Sequence, residues 1–158
     1  PKALAFAIAR QESEFDNAAK SPSGALGLMQ LLPSTAKETA QKNDIGYDIQ
    51  KLYEPEYNMI LGSLYLKRMM DNYDGSFIMA IAAYNAGPGN VYKWVKRFGR
   101  PAKNIDGAVD WIENIPFTET RNYVQRVLEN LQVYRYIEAQ KSPDKESAKL
   151  LLGQDLVK

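Results

Sequence analysis

The chain has 158 residues, of which 45% are apolar and 25% charged, and its formal net charge is +1. This balance is typical of a soluble globular domain, excludes a wholly disordered chain and gives no reason to expect a nucleic-acid partner. Cys and His are both absent, which excludes thiolate and imidazole catalysis and removes the commonest ligands of a metal. In an enzyme of this composition, proton transfer would fall to Asp, Glu, Lys or Tyr. The longest apolar run, residues 3–9, is too short to cross a bilayer, so no transmembrane segment is predicted.

Helical patterns follow one another along the chain, and no segment shows the β-branched alternation of a strand. In chain order, helices are predicted at 2–15, 33–41, 55–73, 77–85, 90–98, 107–115, 119–140 and 145–156. Ser76 and Thr118 are predicted N-caps, and Gly87-Pro88-Gly89 is predicted to break the chain between two helices. The sequence therefore predicts an all-α fold of about seven to nine helices.

One globular domain is predicted at residues 1–140, followed by a tail at 141–158 that carries the last predicted helix. The chain starts at Pro1 without Met, so we expect it to be excised from a longer protein with a further domain on its N-terminal side. For the same reason, the absence of a signal peptide says nothing about export.

Glu12 is the first candidate for chemistry, because it lies near the end of the first predicted helix. The apolar stripe of this helix consists of Leu4, Ile8 and Phe15. At about 100° per residue, Glu12 lies roughly 60° from the centre of the stripe and Glu14 roughly 100°, so Glu12 is expected to face the interior. Partial burial and the nearby helix C-terminus would both raise the pKa of Glu12, as a general acid requires. The alternative is a surface charge cluster of Arg10, Glu12 and Glu14.

Two further candidate segments contain glycines, and in the first of them, residues 24–30, the glycines would let the backbone approach a ligand closely. Residues 24–30 place the amide of Gln30 after two glycines, and the alternative is an ordinary loop between helices. In residues 82–89, Tyr84 and Asn85 come near the end of a helix whose other residues are small. These small neighbours would leave room for a ligand beside Tyr84 and Asn85. The alternative for this second segment is close helix packing with a glycine C-cap.

A further segment, residues 115–124, contains the start of the long predicted helix. Thr118 before Glu119 suits a helix N-terminus, where a carboxylate complements the helix dipole. The alternative is that Glu119 is only a first-turn electrostatic residue with Arg121 as its partner.

The order and identity of these motifs resemble the bacterial lytic transglycosylase catalytic domain, in particular the C-terminal domain of the soluble lytic transglycosylases. The motifs are Glu12-Ser13, Gly27-Leu28-Met29-Gln30, Ala83-Tyr84-Asn85-Ala86-Gly87 and Glu119-Thr120-Arg121-Asn122-Tyr123-Val124. The resemblance extends from about Ala3 to Tyr136. Many members of the family carry Met where this chain has Leu32, an apolar residue of similar size.

The resemblance implies a lysozyme-like fold, similar to goose lysozyme, around a substrate cleft. It implies a peptidoglycan glycan strand as substrate, cleaved between N-acetylmuramic acid and N-acetylglucosamine to give a 1,6-anhydromuramoyl end. Glu12 matches the catalytic carboxylate. The substrate-binding positions match Ser21, Met29, Gln30, Tyr84, Asn85 and Glu119. The resemblance implies no metal or cofactor, and a location in the periplasm or cell envelope.

Three other functions compete with this prediction. The first is a lysozyme-type hydrolase of the same fold, in which Asp16 or Glu14 would serve as a second carboxylate. The second is a glycan-binding module that retains the fold without catalysis. The third is a helical interaction domain of unrelated function. The sequence does not distinguish cleavage from strand ends from internal cleavage, or peptide-bearing strands from bare ones.

Overall fold

The computed structural model describes residues 2–141 and 151–158, and these residues are predominantly helical. Within this part of the chain there are eight α-helices: α1 (Lys2–Ser13), α2 (Pro33–Lys42), α3 (Pro55–Asn72), α4 (Phe77–Ala86), α5 (Pro88–Phe98), α6 (Ile105–Glu113), α7 (Thr118–Gln140) and α8 (Leu152–Leu156). A short 3₁₀ helix, Gln50–Tyr53, precedes α3. The described residues contain no strand beyond two isolated bridges in the loop after α1. The all-α fold class is confirmed.

The chain divides into two compact units, Pro1–Lys67 and Arg68–Lys158. In the first unit, α1 buries a row of small and branched apolar side chains: Ala3, Leu4, Ala5, Ala7, Ile8 and Ala9. Asn58 of α3 is fully buried on the helix face that also carries Leu61 and Tyr65. Its side chain makes hydrogen bonds to the loop after α1, so α3 holds the glycine-containing segment in place.

In the second unit, α4 is the central helix. Every residue from Phe77 to Tyr84 is buried, as expected for a helix that is apolar on all sides. It packs against α5, α7 and α8. Small side chains at Ala80, Ala82 and Ala83 are wholly buried and permit close approach of the neighbouring helices. The close helix packing that was the alternative for residues 82–89 is therefore found along α4.

An aromatic cluster joins α5 to α6 and to the residue before α7. The Trp94 ring packs edge-on against Trp111 and Phe117, with centroids 6.5 Å and 5.4 Å away. Trp111 also contacts Phe98, and its Nε1 donates a 2.9 Å hydrogen bond to the carbonyl of Gly99. Edge-to-face pairs of this kind stabilise a fold beyond the area they bury.

The C-terminal segment is held by a buried polar network. Asp155 of α8 is 1% exposed, and its Oδ2 accepts from Gln132 Nε2 at 2.8 Å and from Arg135 of α7. Gln132 Oε1 in turn accepts from the backbone of Leu151 at 2.9 Å. The helix predicted at 145–156 begins at Leu152 in the structure, and its predicted part at 145–150 lies outside the described residues.

Several predicted helix boundaries were wrong. The first helix ends at Ser13 rather than Phe15, because Glu14 and Phe15 adopt left-handed backbone angles with φ of 53° and 68°. Phe15 is 40% exposed, so it does not belong to the buried stripe. Its ring instead packs on Phe6, with centroids 6.4 Å apart.

The other corrections concern helix starts. Pro88 begins α5, because proline is favoured in the first turn, where its missing N–H is not needed. The next helix begins at Ile105, capped by Asn104 Oδ1, which accepts from the backbone of Gly107 at 2.7 Å. Ser76 occupies the N-cap of α4 without a side-chain capping bond. The N-cap of α7 is Phe117, and Thr118 is its first helical residue.

Candidate active site

Glu12 lies in the last turn of α1 and is partly buried. Glu14, by contrast, has a side chain that is 80% exposed and pairs with Arg10 at 3.9 Å. The prediction that Glu12 faces the interior more than Glu14 is confirmed. The surface charge pair at this helix end therefore consists of Arg10 and Glu14.

The end of α1 is fixed by the loop that follows it. Ser13 Oγ donates a 2.8 Å hydrogen bond to the carbonyl of Leu28 and lies 3.3 Å from the carbonyl of Ala9. Two consecutive left-handed residues, Glu14 and Phe15, then reverse the chain. Such conformations cost roughly 1–2 kcal/mol each in residues other than glycine. They persist where the surrounding structure holds them, often beside a functional group.

Gly27 packs tightly against the 3₁₀ helix and against α3. Its φ is 75°, and a Cβ at this position would lie 2.2 Å from the carbonyl oxygen of Leu52 and 2.4 Å from Nδ2 of Asn58. No side chain fits there. Glycine is therefore required both for the left-handed conformation and for the contact.

The buried amide of Asn58 makes three hydrogen bonds, two to the loop and one to the 3₁₀ helix. Its Oδ1 accepts from the backbone of Met29 at 2.8 Å. Its Nδ2 donates to the carbonyls of Leu26 and Leu52 at 2.9 Å and 2.8 Å. Sequence reasoning missed Asn58, although an asparagine on an otherwise apolar helical stripe was the available signal. Buried amides of this kind need partners, and two of the partners here are backbone groups of the candidate site.

Three predicted substrate-binding residues lie in this loop. Gln30 has a φ of 48° and donates its Nε2 to the carbonyls of Ala19 and Gly27 at 3.1 Å and 2.9 Å. Ser21 Oγ accepts from the backbone of Ala25 at 3.0 Å, which closes a tight turn. Met29 is fully buried, and a Cβ at Gly62 would lie 2.3 Å from its sulfur. Met29 therefore supports the loop from inside.

The remaining predicted site residues lie in the second unit. Tyr84 is 8% exposed near the end of α4, and the helix stops at Gly87, whose φ is 83°. Asn85 Oδ1 accepts a 2.7 Å hydrogen bond from Thr120 Oγ1. Thr120 is buried in the first turn of α7, next to the exposed Glu119. The structure therefore brings the Tyr84-Asn85 and Glu119-Thr120 motifs together, and Thr120 is the residue that sequence reasoning left out.

The hypothesis that Arg121 partners Glu119 was wrong. Within the described residues, the acidic partner of Arg121 is Glu113, at 3.8 Å. A second guanidinium nitrogen donates to the carbonyl of Ile115 at 3.2 Å. Arg121 therefore links the start of α7 to the end of α6. The carboxylate of Glu119 is exposed and does not pair with Arg121.

Solved structures similar to this one include lytic transglycosylases. The 70 kDa soluble lytic transglycosylase of Escherichia coli superimposes with a TM-score of 0.82 at 38% identity, covering 100% of this chain and 23% of that one. An inactive glutamate-to-glutamine mutant of lytic transglycosylase Slt from Pseudomonas aeruginosa gives a TM-score of 0.79 at 42% identity, covering 94% and 23%. The soluble lytic murein transglycosylase of Escherichia coli K12 is 46% identical over 138 residues, which are 86% of this chain.

The transglycosylase SLT domain model matches residues 1–107, and the soluble lytic transglycosylase helical domain model matches residues 114–143. The chain belongs to the transglycosylase SLT domain family. The resemblance predicted from the four motifs is therefore confirmed. The chain spans 21% of the length of the Escherichia coli K12 relative.

Proposed function

We propose that this chain is the catalytic domain of a peptidoglycan lytic transglycosylase. It cleaves the β-1,4 bond between N-acetylmuramic acid and N-acetylglucosamine without water and leaves a 1,6-anhydromuramoyl end. The observation that carries the proposal is the partly buried Glu12 at the end of α1, where Ser13 anchors the helix to residues 24–30, here called the glycine loop. In a chain without His or Cys, a carboxylate is the group best suited to both proton transfers.

In the first step, protonated Glu12 donates its proton to the glycosidic oxygen as the bond to the muramoyl anomeric carbon breaks. The N-acetyl group of the same sugar stabilises the positive charge that develops at that carbon, as in substrate-assisted glycosidases. In the second step, ionised Glu12 takes the proton of the C6 hydroxyl, whose oxygen bonds to the anomeric carbon. Glu12 returns to its starting protonation state, and the products together have the mass of the substrate.

The side chains around the glycine loop have distinct proposed roles. Gln30 uses its amide nitrogen within the loop, which leaves its Oε1 as the acceptor for a sugar N–H or O–H. Ser21 is proposed to bind the strand beside it, while Met29 acts indirectly by shaping the loop. In the second unit, Tyr84, Asn85 and Glu119 are proposed to bind the glycan substrate. The proposal needs no metal or cofactor.

The hydrolytic alternative has little support around Glu12. Glu14 extends into solvent and pairs with Arg10. Asp16 is also exposed, and its Oδ1 accepts a 2.9 Å hydrogen bond from the backbone of Ala18, so it closes a turn. Both carboxylates are exposed, whereas a catalytic nucleophile is expected to be buried beside the substrate. The proposed nucleophile is therefore the C6 hydroxyl of the substrate.

The proposed location is the periplasm, where a peptidoglycan strand is accessible. Relatives of this chain include soluble and membrane-bound lytic murein transglycosylases. Among the described residues, no helix has the length and apolarity needed to span a bilayer.

The test is a Glu12→Gln variant acting on purified peptidoglycan, with products identified by mass spectrometry. Glutamine keeps the shape of glutamate without the transferable proton, so we expect glycan cleavage to fall by at least about 100-fold. A Glu14→Gln variant is the matched control and should cleave as the parent does. The parent should release anhydro products.

Two results would overturn the proposal. If the Glu12→Gln variant cleaved as fast as the parent, the catalytic role of Glu12 would be wrong. If the parent's products were heavier by one water and carried ordinary reducing ends, the enzyme would be a hydrolase.

A further inference from the structure

One peptide bond of the glycine loop has both of its polar groups engaged by side chains. Its carbonyl, from Leu28, accepts a 2.8 Å hydrogen bond from Ser13 Oγ. Its N–H, from Met29, donates a 2.8 Å hydrogen bond to Asn58 Oδ1. The C=O and N–H of a planar trans peptide point in opposite directions. This peptide, which we call the bridging peptide, therefore joins α1 on one side to α3 on the other.

The bridging peptide lies among buried residues. Asn58 and Met29 are wholly buried and Leu28 is nearly so, while Ser13 is partly buried. In such surroundings hydrogen bonds are electrostatically stronger than in water, and bonds that share a peptide polarise one another. A buried N–H or C=O without a partner is costly, so the bridging peptide is held in one orientation.

The side chain of Asn58 is itself fixed at its other end. Its Nδ2 donates to the carbonyl of Leu26 at 2.9 Å and to the carbonyl of Leu52 at 2.8 Å. These two bonds oppose rotation of the amide, so they also fix the direction of its Oδ1. The position of the Met29 N–H is therefore set by α3 and by the 3₁₀ helix before it.

On the other side of the bridging peptide, Ser13 is the last residue of α1 and follows Glu12 directly. Its Oγ also lies 3.3 Å from the carbonyl of Ala9, one turn earlier in the same helix. Beyond Ser13 the helix stops, because Glu14 and Phe15 have left-handed backbone angles. The bond to the bridging peptide is therefore an anchor for the turn that carries Glu12.

We propose that Asn58 is a positioning residue for Glu12, acting through the bridging peptide and Ser13. The inference rests on the proposed function, in which Glu12 transfers the proton. Proton transfer requires the carboxyl to lie within hydrogen-bond reach of the reacting oxygen. A displacement of about 1 Å can lower the rate by about 100-fold, so loss of the anchor should lower kcat.

Substrate binding should change less than catalysis. Gln30, the proposed sugar-binding amide of the glycine loop, is held by its own bonds to the carbonyls of Ala19 and Gly27. These bonds do not involve the bridging peptide. Removing the anchor should therefore leave KM nearly unchanged.

The experiment is a double-variant cycle on steady-state cleavage of peptidoglycan strands. Ser13→Ala removes the hydroxyl, Asn58→Leu removes the amide at similar volume, and the third protein carries both changes. Asn58→Ala is a second choice if the leucine variant does not fold, because it leaves space for a water that can bond to the freed backbone groups. Circular dichroism gives the folded fraction, and kcat is expressed per folded molecule.

Each single variant should lower kcat by about 10- to 100-fold and change KM by less than about threefold. The double variant should be no slower than the slower single variant by more than about twofold. Two residues that act through one contact are not additive, whereas independent effects would multiply.

Three control variants separate positioning from stability. Ser13→Thr keeps the hydroxyl and should recover most of the lost kcat. Ser34→Ala removes an exposed hydroxyl in the first turn of α2 and should match the parent. Leu61→Ala removes a wholly buried side chain from the same face of α3 as Asn58. It should lower stability, but kcat per folded molecule should stay at the parent value.

An unchanged kcat in either single variant would overturn the inference and leave the proposed function standing. Multiplying losses in the double variant would also overturn it, because Asn58 and Ser13 would then act separately. So would a Leu61→Ala variant with the same loss of kcat as the Asn58 variant, because the effect would then come from stability.

A parent that cleaved no strand would instead overturn the proposed function. Amide hydrogen exchange would then decide by itself whether Asn58 holds the turn that carries Glu12. In Asn58→Ala, exchange at residues 10–13 should rise by at least about 10-fold more than at residues 5–8. Leu61→Ala should raise both sets equally. An equal rise in the Asn58→Ala variant would refute the inference.

Discussion

Gly27 has its α-carbon pressed against the backbone of Leu52 and the side chain of Asn58. The same short loop carries Met29 and Gln30, both predicted for the site from their motif. Asn58 bonds to the loop on both sides of Gly27. At the scale of single residues, the site is therefore shaped by one glycine without a side chain and one buried amide with every atom engaged.

We expect Gly27→Ala to lower the free energy of unfolding by about 3 kcal/mol or more, since left-handed strain adds to overpacking against backbone. Gly24→Ala is the matched control. Gly24 also has a positive φ, 85°, but a Cβ there would meet no atom within 4 Å. Its cost should be about 1 kcal/mol, from the backbone alone. Urea unfolding measures both values, and equal losses would show that the contact with Asn58 and Leu52 is unimportant.

At the scale of elements, α4 and α7 are joined by close packing and by one polar bond. The small residues of α4 allow close helix packing, and Asn85 accepts from Thr120 at the end of the contact. Thr120 is 2% exposed, so its hydroxyl has little access to water. This bond orients Asn85, which we propose to be a substrate-binding residue.

Replacing Thr120 by Val keeps the shape of the side chain and removes the hydroxyl. We expect a loss of stability of about 1–2 kcal/mol, because the Asn85 carbonyl loses its donor. Glycan cleavage should fall as well, since Asn85 is free to rotate. Thr120→Ser restores the hydroxyl and should recover most of both effects, whereas Thr118→Val, at the exposed first position of α7, should change neither. Full activity in Thr120→Val would argue against a positioning role.

At the scale of the whole molecule, the C-terminal segment is fastened across a long separation in sequence. Asp155 is bound by Arg135 and Gln132, and its other oxygen, Oδ1, is buried with no hydrogen-bond partner among the described residues. The segment also borders an apolar cavity of about 170 Å³ between α6, α7 and α8. The helix α8 also packs against α4 and α6, and the polar network adds a buried attachment to α7.

Arg135→Met should destabilise the fold by about 3–5 kcal/mol, because it leaves a buried carboxylate without its cation. The double variant Arg135→Met, Asp155→Leu removes both charges and should recover much of that loss. Arg126→Met, on an exposed position of the same helix, should change stability by less than about 0.5 kcal/mol. Thermal unfolding of the four proteins compares them. A single variant as stable as the parent would show that the ion pair does not hold α8.

Features that depend on contacts between residues close in sequence could be predicted from the sequence, and features that depend on distant contacts could not. Helices follow from a local period of about 3.6 residues, so α2, α3 and α4 were placed to within a residue or so. Boundaries failed where a single backbone angle or cap decided them, as at Phe15 and Asn104. Asn104 carries a recognisable capping signal, but the left-handed angle of Phe15 is held by its surroundings and has no local signature.

By itself, the sequence determined the all-α class, the family and the choice of Glu12, because composition removed the competing groups and four ordered motifs are local patterns. Only the tertiary structure decided the partners. It pairs Arg121 with Glu113 and bonds Asn58 to the loop after α1. It also bonds Asn85 to Thr120 and pairs the buried Asp155 with Arg135. These contacts link residues that are distant in sequence or on different helices. Their energies depend on burial and distance in space, which no spacing along the chain specifies.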